Sequence, residues 1–374
     1  MKDVVFIFVL IYGIFGLILF VGSSLQLRKE KKFMRNAQNQ GRIQLSDLTV
    51  IVPFRNERER IEGLLQSINN SSALPHEIIF IDDHSEDDTS DFIASNLSID
   101  RYHLLKANQT GKKAAIGDAI QNVNTGFVLT LDADVTFESD FFEKIGNLQK
   151  RDLLILPVVM KGKGWRQLFE IDVDYTNAVN YGVAGLSKPI VASGANLLFS
   201  KSAYQMWNQL EEHQHFASGD DLFLLNNFKK NDCTIQLIAD KQLAVMTSAP
   251  STFKEYVNQR LRWISKTSAI KDSVSTFLGI AQILFTFSIT VILITLIVQG
   301  DKQQFTYLIF FKFLIDFSAT MKYYFQVGKL HILLPVALHQ IWTPIISIIL
   351  MVLLPFYTPE WKGRLVKNSN RQKR

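Results

Sequence analysis

Two carboxylates one residue apart, Asp132 and Asp134, close the apolar run Val128-Leu129-Thr130-Leu131. Residues i and i+2 of an extended chain share a face. Both side chains can therefore project from a strand's end and converge on a cation. Hard oxygen donors that leave most of the coordination sphere open suit Mg²⁺ or Mn²⁺ carrying a diphosphate; a bare Asp-x-Asp, taken alone, reads first as a solvated turn after a strand. A second pair stands in Ser218-Gly219-Asp220-Asp221-Leu222, at the start of what reads as a helix through Leu224 and Leu225. A carboxylate there serves either as an N-cap or as a general base that takes the proton of an attacking hydroxyl. In Gln259-Arg260-Leu261-Arg262-Trp263, Arg262 could counter charge on a leaving diphosphate and Trp263 offers a flat apolar platform. The same Arg and Trp would also suit a membrane headgroup boundary. Pro53-Phe54-Arg55-Asn56-Glu57 and Asp82-Asp83 supply acceptors suited to a base and ribose, and Gly111-Lys112-Lys113 supplies cations.

These groups need a frame that presents them at one edge. From about Leu48 to Ser248 short β-branched runs alternate with longer amphipathic stretches, which predicts an α/β domain with a mainly parallel sheet wrapped by helices. The expected strands are Leu48 to Val52, Glu77 to Ile81, Phe127 to Leu131 and Leu153 to Val159. Arg58 to Ile68 reads as a helix, with Ile61, Leu64, Leu65 and Ile68 on one face. A further helix follows the polar turn Asp87, Asp88, Thr89 through Phe92 and Ile93. Each strand delivers polar groups at its carboxyl end, the edge where ligands bind in open α/β sheets.

The chain of 374 residues is 47% hydrophobic with a net charge of +5, too long for one small core and too apolar for a simple soluble enzyme. One cysteine, Cys233, excludes an intramolecular disulfide and a Cys-based zinc cluster. Lys and Arg concentrate beside apolar segments, from Arg28 to Arg35 and from Lys362 to Arg374, which points to anionic lipid rather than nucleic acid. The uncharged run from Val4 to Gly22 is long enough to span a bilayer. It has a minimal n-region and no Ala-x-Ala-like site, and its basic cluster lies beyond it, so it reads as an uncleaved anchor rather than a signal peptide. The positive-inside rule then places the N-terminus outside and the following domain in the cytosol. Phe277 to Val298 is a second span. Phe305 to Phe325 is interrupted by Lys312, Asp316 and Lys322, the first two placed to pair at i, i+4. In Leu330 to Pro355, Pro335 and Pro344 should kink or break the helix. Three crossings here would leave the basic tail outside, against the charge rule. No internal repeat is evident.

Taken in order, Pro53-x-x-Asn56-Glu57, Asp82-Asp83-x-Ser85-x-Asp87-x-Thr89, Gly111-Lys112-x-x-Ala115, Asp132-x-Asp134, Gly219-Asp220-Asp221 and Gln259-x-x-Arg262-Trp263 resemble the membrane-bound family-2 glycosyltransferases. That group includes cellulose, chitin and hyaluronan synthases and ceramide glucosyltransferase. The resemblance covers about residues 46 to 266. It implies a GT-A fold, an inverting mechanism, a nucleotide-diphosphate-sugar donor (a UDP-sugar as first expectation) and Mg²⁺ or Mn²⁺. Residue by residue it implies that Glu57, Asp82 and Asp83, with Pro53 and Asn56, hold the nucleoside, that Lys112 lies near the nucleotide, and that Asp134 binds the metal with Asp132 beside it. Asp221 would be the base, with Asp220 as the alternative because Gly219-Asp220-Asp221 stands where the family commonly has Thr-Glu-Asp. Gln259, Arg262 and Trp263 would close over diphosphate and acceptor, and Ser193-Gly194-Ala195-Asn196 would floor the acceptor site.

The domain plan that follows is a transmembrane helix over 1–25, a basic cytosolic linker over 26–45, the GT-A domain over 46–250, and an amphipathic interfacial helix over 251–275 (Tyr256, Leu261, Trp263 and Ile264 against Arg260, Lys266 and Lys271). Two or three membrane segments over 276–356 and a basic tail over 357–374 complete it. The expected setting is the cell (inner) membrane, with the catalytic domain cytosolic. With few spanning segments to wall a channel, the acceptor is expected to be a membrane lipid or lipid-linked glycan, with a processive synthase as the alternative and a membrane partner subunit left open. A non-catalytic nucleotide-sugar-binding protein would not need Asp221 or Arg262. A nucleotidyl- or phosphotransferase would use the same metal carboxylates but release a different product. His84, His213 and His215 are expected as polar surface residues rather than metal ligands.

Overall fold

Runs that are apolar on both faces become central strands, because only a strand covered on both sides buries every side chain. In the computed structural model, which describes residues 1–36, 41–207, 219–267, 272–329, 333–357, 360–361 and 364–365, strands β1 (Leu48–Phe54) and β4 (Phe127–Leu131) are buried along their whole length. They lie side by side at the centre of a seven-stranded sheet. The other members are β2 (Glu77–Asp82), β3 (Tyr102–Lys106), β6 (Leu153–Ile155), β8 (Asn196–Ser200) and β9 (Ile235–Leu237), in the order β3-β2-β1-β4-β8-β6-β9. A second sheet joins β5 (Val135–Thr136), β10 (Val245–Ser248) and β7 (Val158–Lys161).

The chain divides into two units. The sheet unit takes in residues 30–160 and 191–248 with the paired strands β11 (Glu360–Trp361) and β12 (Arg364–Leu365); the helical unit takes in 1–29, 161–190 and 249–357. Helices of the sheet unit are α2 (Glu62–Asn69), α3 (Thr89–Asn96), α4 (Lys112–Gln121), α5 (Phe141–Gly146), α7 (Lys201–Trp207) and α8 (Asp220–Lys230). Leu64, Leu65 and Ile68 of α2 and Phe141, Phe142 and Ile145 of α5 pack with Val50, Val52, Phe80, Leu129 and Leu131 in one apolar core. Strand register levels the edge that matters. Phe54 pairs with Asp82, so β1 and β2 end together and their following loops leave from the same place.

The sheet is mainly parallel, as expected, with β8 antiparallel to both β4 and β6. Three features differ from the sequence reading. The run from Leu153 to Val159 splits into β6 and β7, which join different sheets, around Pro157 and its missing ladder donor. The helix expected from Arg58 begins at Glu62, and just before it the backbone N–H groups of residues 56 to 58 donate to side chains of another loop. Residues 26–36 are not linker but the continuation of α1 (Lys2–Asn36), where Glu30 is buried and accepts a hydrogen bond from Ala239 N–H at 3.0 Å.

The helical unit contains the larger surprise. Helix α6 (Gln167–Leu186) sits inside the expected 46–250 domain, yet it groups with α9 (Phe253–Thr267), α10 (Ser273–Gln299), α11 (Lys302–Gln326) and α12 (Leu333–Leu353). Among the described residues three stretches are long and apolar enough to cross a membrane: Lys2–Asn36, Ser273–Gln299 and Leu333–Phe356. The charges that interrupt α11 are internal. Lys312 Nζ lies 2.7 Å from Asp316 Oδ2, Gln340 bonds both, and Asp316 Oδ1 accepts from Tyr12 at 2.6 Å and Tyr175 at 3.2 Å. Such pairing is what makes ionisable groups tolerable between packed helices. Small residues bring α1 and α6 together, since a Cβ at Gly185 would fall 1.8 Å from the Gly22 carbonyl oxygen. Helix α12 runs through Pro344 without ending, and Pro335 lies in its first turn, where no N–H is required. His213, His215, Ser218, Lys271 and most of the 357–374 tail lie outside the described residues.

Candidate active site

Two loops at the carboxyl edge of β1 and β2 are stitched together by side chain to backbone hydrogen bonds. Asn56 N–H donates to Ser85 Oγ at 3.1 Å, and Asn56 Oδ1 accepts from Glu86 N–H at 2.8 Å. Glu57 N–H donates to Thr89 Oγ1 at 3.0 Å, and Arg58 N–H to Asp87 Oδ2 at 3.2 Å. Arg55 donates to the carbonyls of Asp83 and His84 at 3.2 and 3.1 Å. Asn56 adopts φ 50°, a left-handed conformation that Asn tolerates better than most residues. Ser85, Asp87 and Thr89 thus act on the backbone of the facing loop. Pro53 is buried within β1, Asp82 is half-buried and accepts from Ser85 N–H at 2.7 Å, and Glu57 Oε2 pairs with Arg60 at 2.9 Å.

A third loop joins them. Asp83, 1% exposed, accepts from Gly111 N–H at 2.8 Å, and burial pushes its carboxyl above the ordinary carboxylate range against the pull of that N–H, His84 and Arg55. Gly111, at φ 112°, is the residue before α4, so the bond sets the helix start from which Lys112 projects. Lys112 Nζ reaches Asp132 Oδ1 at 2.5 Å. Asp134 Oδ2 lies 3.9 Å from Arg60, which is half-exposed and bridges it to Glu57. Asp132 and Asp134 therefore both stand in the loop after β4 and are matched to different cations. Arg60 was not singled out by the sequence; its place three residues after Glu57 was the available signal.

Asp221 belongs to this unit as well. Helix α8 starts at Asp220, and the residue capping it is Gly219, at φ 106°. Asp221 is consequently inside the first turn rather than at the N-cap. Its Oδ2 accepts from Gly194 N–H at 3.1 Å and its Oδ1 from Leu222 N–H at 2.8 Å. The structure thereby joins the expected base to the Ser193-Gly194-Ala195-Asn196 loop. Asn196 was expected to face an acceptor, but its side chain is fully buried and donates to the carbonyls of Pro157 and Leu243, both at 2.9 Å. It anchors the loop instead. His84 is half-buried, 3.5 Å from Asp83.

Gln259, Arg262 and Trp263 lie on α9, in the helical unit. There Arg260 pairs with Asp172 of α6 and sits over the Trp263 ring, 5.3 Å from its centroid. Among the described residues no group of three or more His, Cys, Asp or Glu could hold a metal ion. Asp132 and Asp134, with side chains 35% and 30% exposed, are a two-oxygen donor set of the kind that ligand and water oxygens complete around Mg²⁺ or Mn²⁺. The residues present fit that use.

The family model described as Glycosyl transferase family 2 matches residues 49–204, and that described as Glycosyl transferase family group 2 matches residues 127–358. A Bacillus subtilis (strain 168) protein named "Putative teichuronic acid biosynthesis glycosyltransferase TuaG" is 31% identical over 99 residues, which is 26% of this chain and 39% of that protein. The chain thus spans well under half the length of that relative. Among solved structures, the mannosyltransferase PcManGT from Pyrobaculum calidifontis in complex with GDP-Man and Mn²⁺ superposes with a TM-score of 0.49 at 15% identity, covering 88% of this chain and 99% of that one. S. aureus TarS gives a TM-score of 0.38 at 18% identity, covering 57% and 39%. The second family match takes in more than half of the chain, and with it the loop carrying Asp132 and Asp134, the Asp220-Asp221 pair and α9: the chain belongs to the family-2 glycosyltransferases, with the α/β fold and the transferase class that its sequence led one to expect.

Proposed function

We propose that this chain is an integral membrane enzyme that transfers a sugar from a nucleotide-diphosphate-sugar donor, with inversion, to a membrane-lipid or lipid-linked glycan acceptor at the cytosolic face of the cell membrane. The observation that carries this is the meeting of four loops at one sheet edge: Asn56 and Glu57 tied to Ser85 and Thr89, Asp83 tied to Gly111, and Lys112, at the start of the helix after Gly111, tied to Asp132. Acceptors suited to a nucleoside and cations suited to a diphosphate come from loops that hold one another.

Asp221, oriented by Gly194 N–H, takes the proton of the acceptor hydroxyl as its oxygen attacks the anomeric carbon from the face opposite the nucleotide. One displacement exchanges the bond to the diphosphate oxygen for a bond to the acceptor oxygen, so configuration inverts. Lys112 stabilises the departing diphosphate in place, and the role of Gln259, Arg262 and Trp263 toward diphosphate and acceptor rests on the family resemblance. Mg²⁺ or Mn²⁺, held by Asp134 and Asp132, would neutralise diphosphate charge when bound. The similarity to a protein named for teichuronic acid biosynthesis supports a cell-envelope glycan as acceptor.

The test is nucleoside-diphosphate release by protein in lipid, over a panel of nucleotide sugars with Mg²⁺ or Mn²⁺. Asp221→Asn should keep donor binding and lose about 10²- to 10⁴-fold in turnover. Tight nucleotide binding without release from any donor, lipid acceptors included, would favour a non-catalytic binding protein. Release that yields long polymer would favour a processive synthase.

A further inference from the structure

We infer that Asp172 of α6 is a positioning residue that latches α9, and with it Gln259, Arg262 and Trp263, in working orientation; this rests on the glycosyltransferase reading above. Asp172 is 9% exposed. Its Oδ2 accepts from Tyr256 OH at 2.6 Å and forms an ion pair with Arg260 Nε at 2.8 Å, while Oδ1 lies 3.4 Å from the second guanidinium nitrogen of Arg260. Three residues earlier on α6, Phe169 stacks on the Tyr256 ring with centroids 4.0 Å apart and planes 7° from parallel. Residues 169 and 172 of α6 share one face, as do 256 and 260 of α9, so one turn of each helix grips one turn of the other.

The gripped turn overlaps the motif. Gln259 and Arg260 are adjacent, and Arg260 lies over the Trp263 ring. Trp263 is thereby held by a guanidinium whose own position is fixed by Asp172. Helix α6 is in turn tied to the rest of its unit: Lys329 pairs with Glu170 at 2.7 Å and with Asp174, and Tyr175 donates to Asp316.

The experiment compares wild type, Asp172→Asn, Asp172→Glu and Tyr256→Phe in lipid nanodiscs. Two readouts are taken: donor KM against kcat, and backbone hydrogen exchange along the chain without substrate. Asn keeps the volume but removes the charge that holds Arg260. Tyr256→Phe keeps the stack on Phe169 and removes one hydrogen bond. The expected result is that Asp172→Asn lowers kcat about tenfold or more through lost orientation, with donor KM within about twofold of wild type. Exchange should accelerate over 253–263 and stay unchanged in α10 and α11, Tyr256→Phe should move both readouts less in the same direction, and Asp172→Glu should recover most of the loss. Wild-type kcat in Asp172→Asn, unchanged α9 exchange, or acceleration spread over every helix of the unit in both variants would overturn the latch. Absence of nucleoside-diphosphate release by the wild type would instead count against the glycosyltransferase reading, while the exchange pattern still decides whether Asp172 holds α9.

Discussion

At the scale of single residues, the site is held together by carboxylates whose charge has a cost. Asp83 is buried, and its carboxyl is raised above the ordinary value of 3.8 chiefly by that burial. Between pH 4 and the raised pKa the folded chain therefore keeps a proton that the unfolded chain has lost. Bound protons are then more numerous in the folded state, so this group's contribution to stability falls as pH rises through the window and is level above it. Asp83→Asn removes the charge and keeps an oxygen able to accept from Gly111 N–H. Its thermal midpoint should equal or exceed wild type at pH 7. The difference, variant minus wild type, should grow from pH 4 upward and then flatten. A midpoint at pH 7 well below wild type would mean that the pull of Gly111, Arg55 and His84 on the carboxylate outweighs its burial. Asp132 and Asp134 differ from Asp83 in being partly exposed, where solvent lowers the cost of standing ready for a cation.

At the scale of elements, loops make the site and strands only aim them. Thr89 shows how: fully buried at the start of α3, it accepts from Glu57 N–H and donates to Asp87. Thr89→Val keeps the shape but strands a backbone donor, at a cost of about 1–3 kcal/mol. The expected outcome is a lower thermal midpoint with a raised donor KM, because Glu57 loses its backbone anchor; a variant with wild-type KM would detach Glu57 from donor binding. Much of this was legible in sequence. The runs that became β1, β2 and β4 are apolar on both faces, and the polar residues after each of them mark where the covered sheet stops. β8 carries the same kind of run, Leu197-Leu198-Phe199, yet its antiparallel direction depends on which strands it lies beside, and no local pattern encodes that. α6 stayed hidden for a related reason. Glu170, Asp172, Asp174 and Asn180 make it read as part of a polar domain, and only the partners Lys329, Arg260, Tyr256 and Ile190 N–H show why those groups can be buried. Asp172 was missed because a long-range pairing leaves no spacing to read, and Arg60 because its place three residues after Glu57 marks a local ion pair but not the distant Asp134 it also reaches.

At the scale of the whole molecule, the side of the membrane on which each part stands decides which donor pool and which acceptor it can meet. The basic cluster after the first apolar run argues for a cytosolic sheet unit, and the chain carries a built-in reporter, since Cys233 is its one cysteine and is half-buried in that unit. A membrane-impermeant maleimide should leave Cys233 unlabelled in sealed cells and label it after permeabilisation; labelling in intact cells would reverse the orientation. The basic tail poses a separate question, because three full crossings after α9 would carry it to the opposite face. Within the helical unit, however, Tyr357 OH donates to the carbonyl of Asn258 on α9 at 3.1 Å. The end of the membrane stretch therefore returns to the amphipathic helix where that stretch begins, so the tail should emerge on the side of α9, as its Lys and Arg require. Cysteine placed at Lys367 in a Cys233→Ser background should accordingly label only after permeabilisation, as Cys233 does. Labelling of that position in intact cells would mean that α10, α11 and α12 all cross, and that the tail's charges are held outside at a cost paid elsewhere in the bundle.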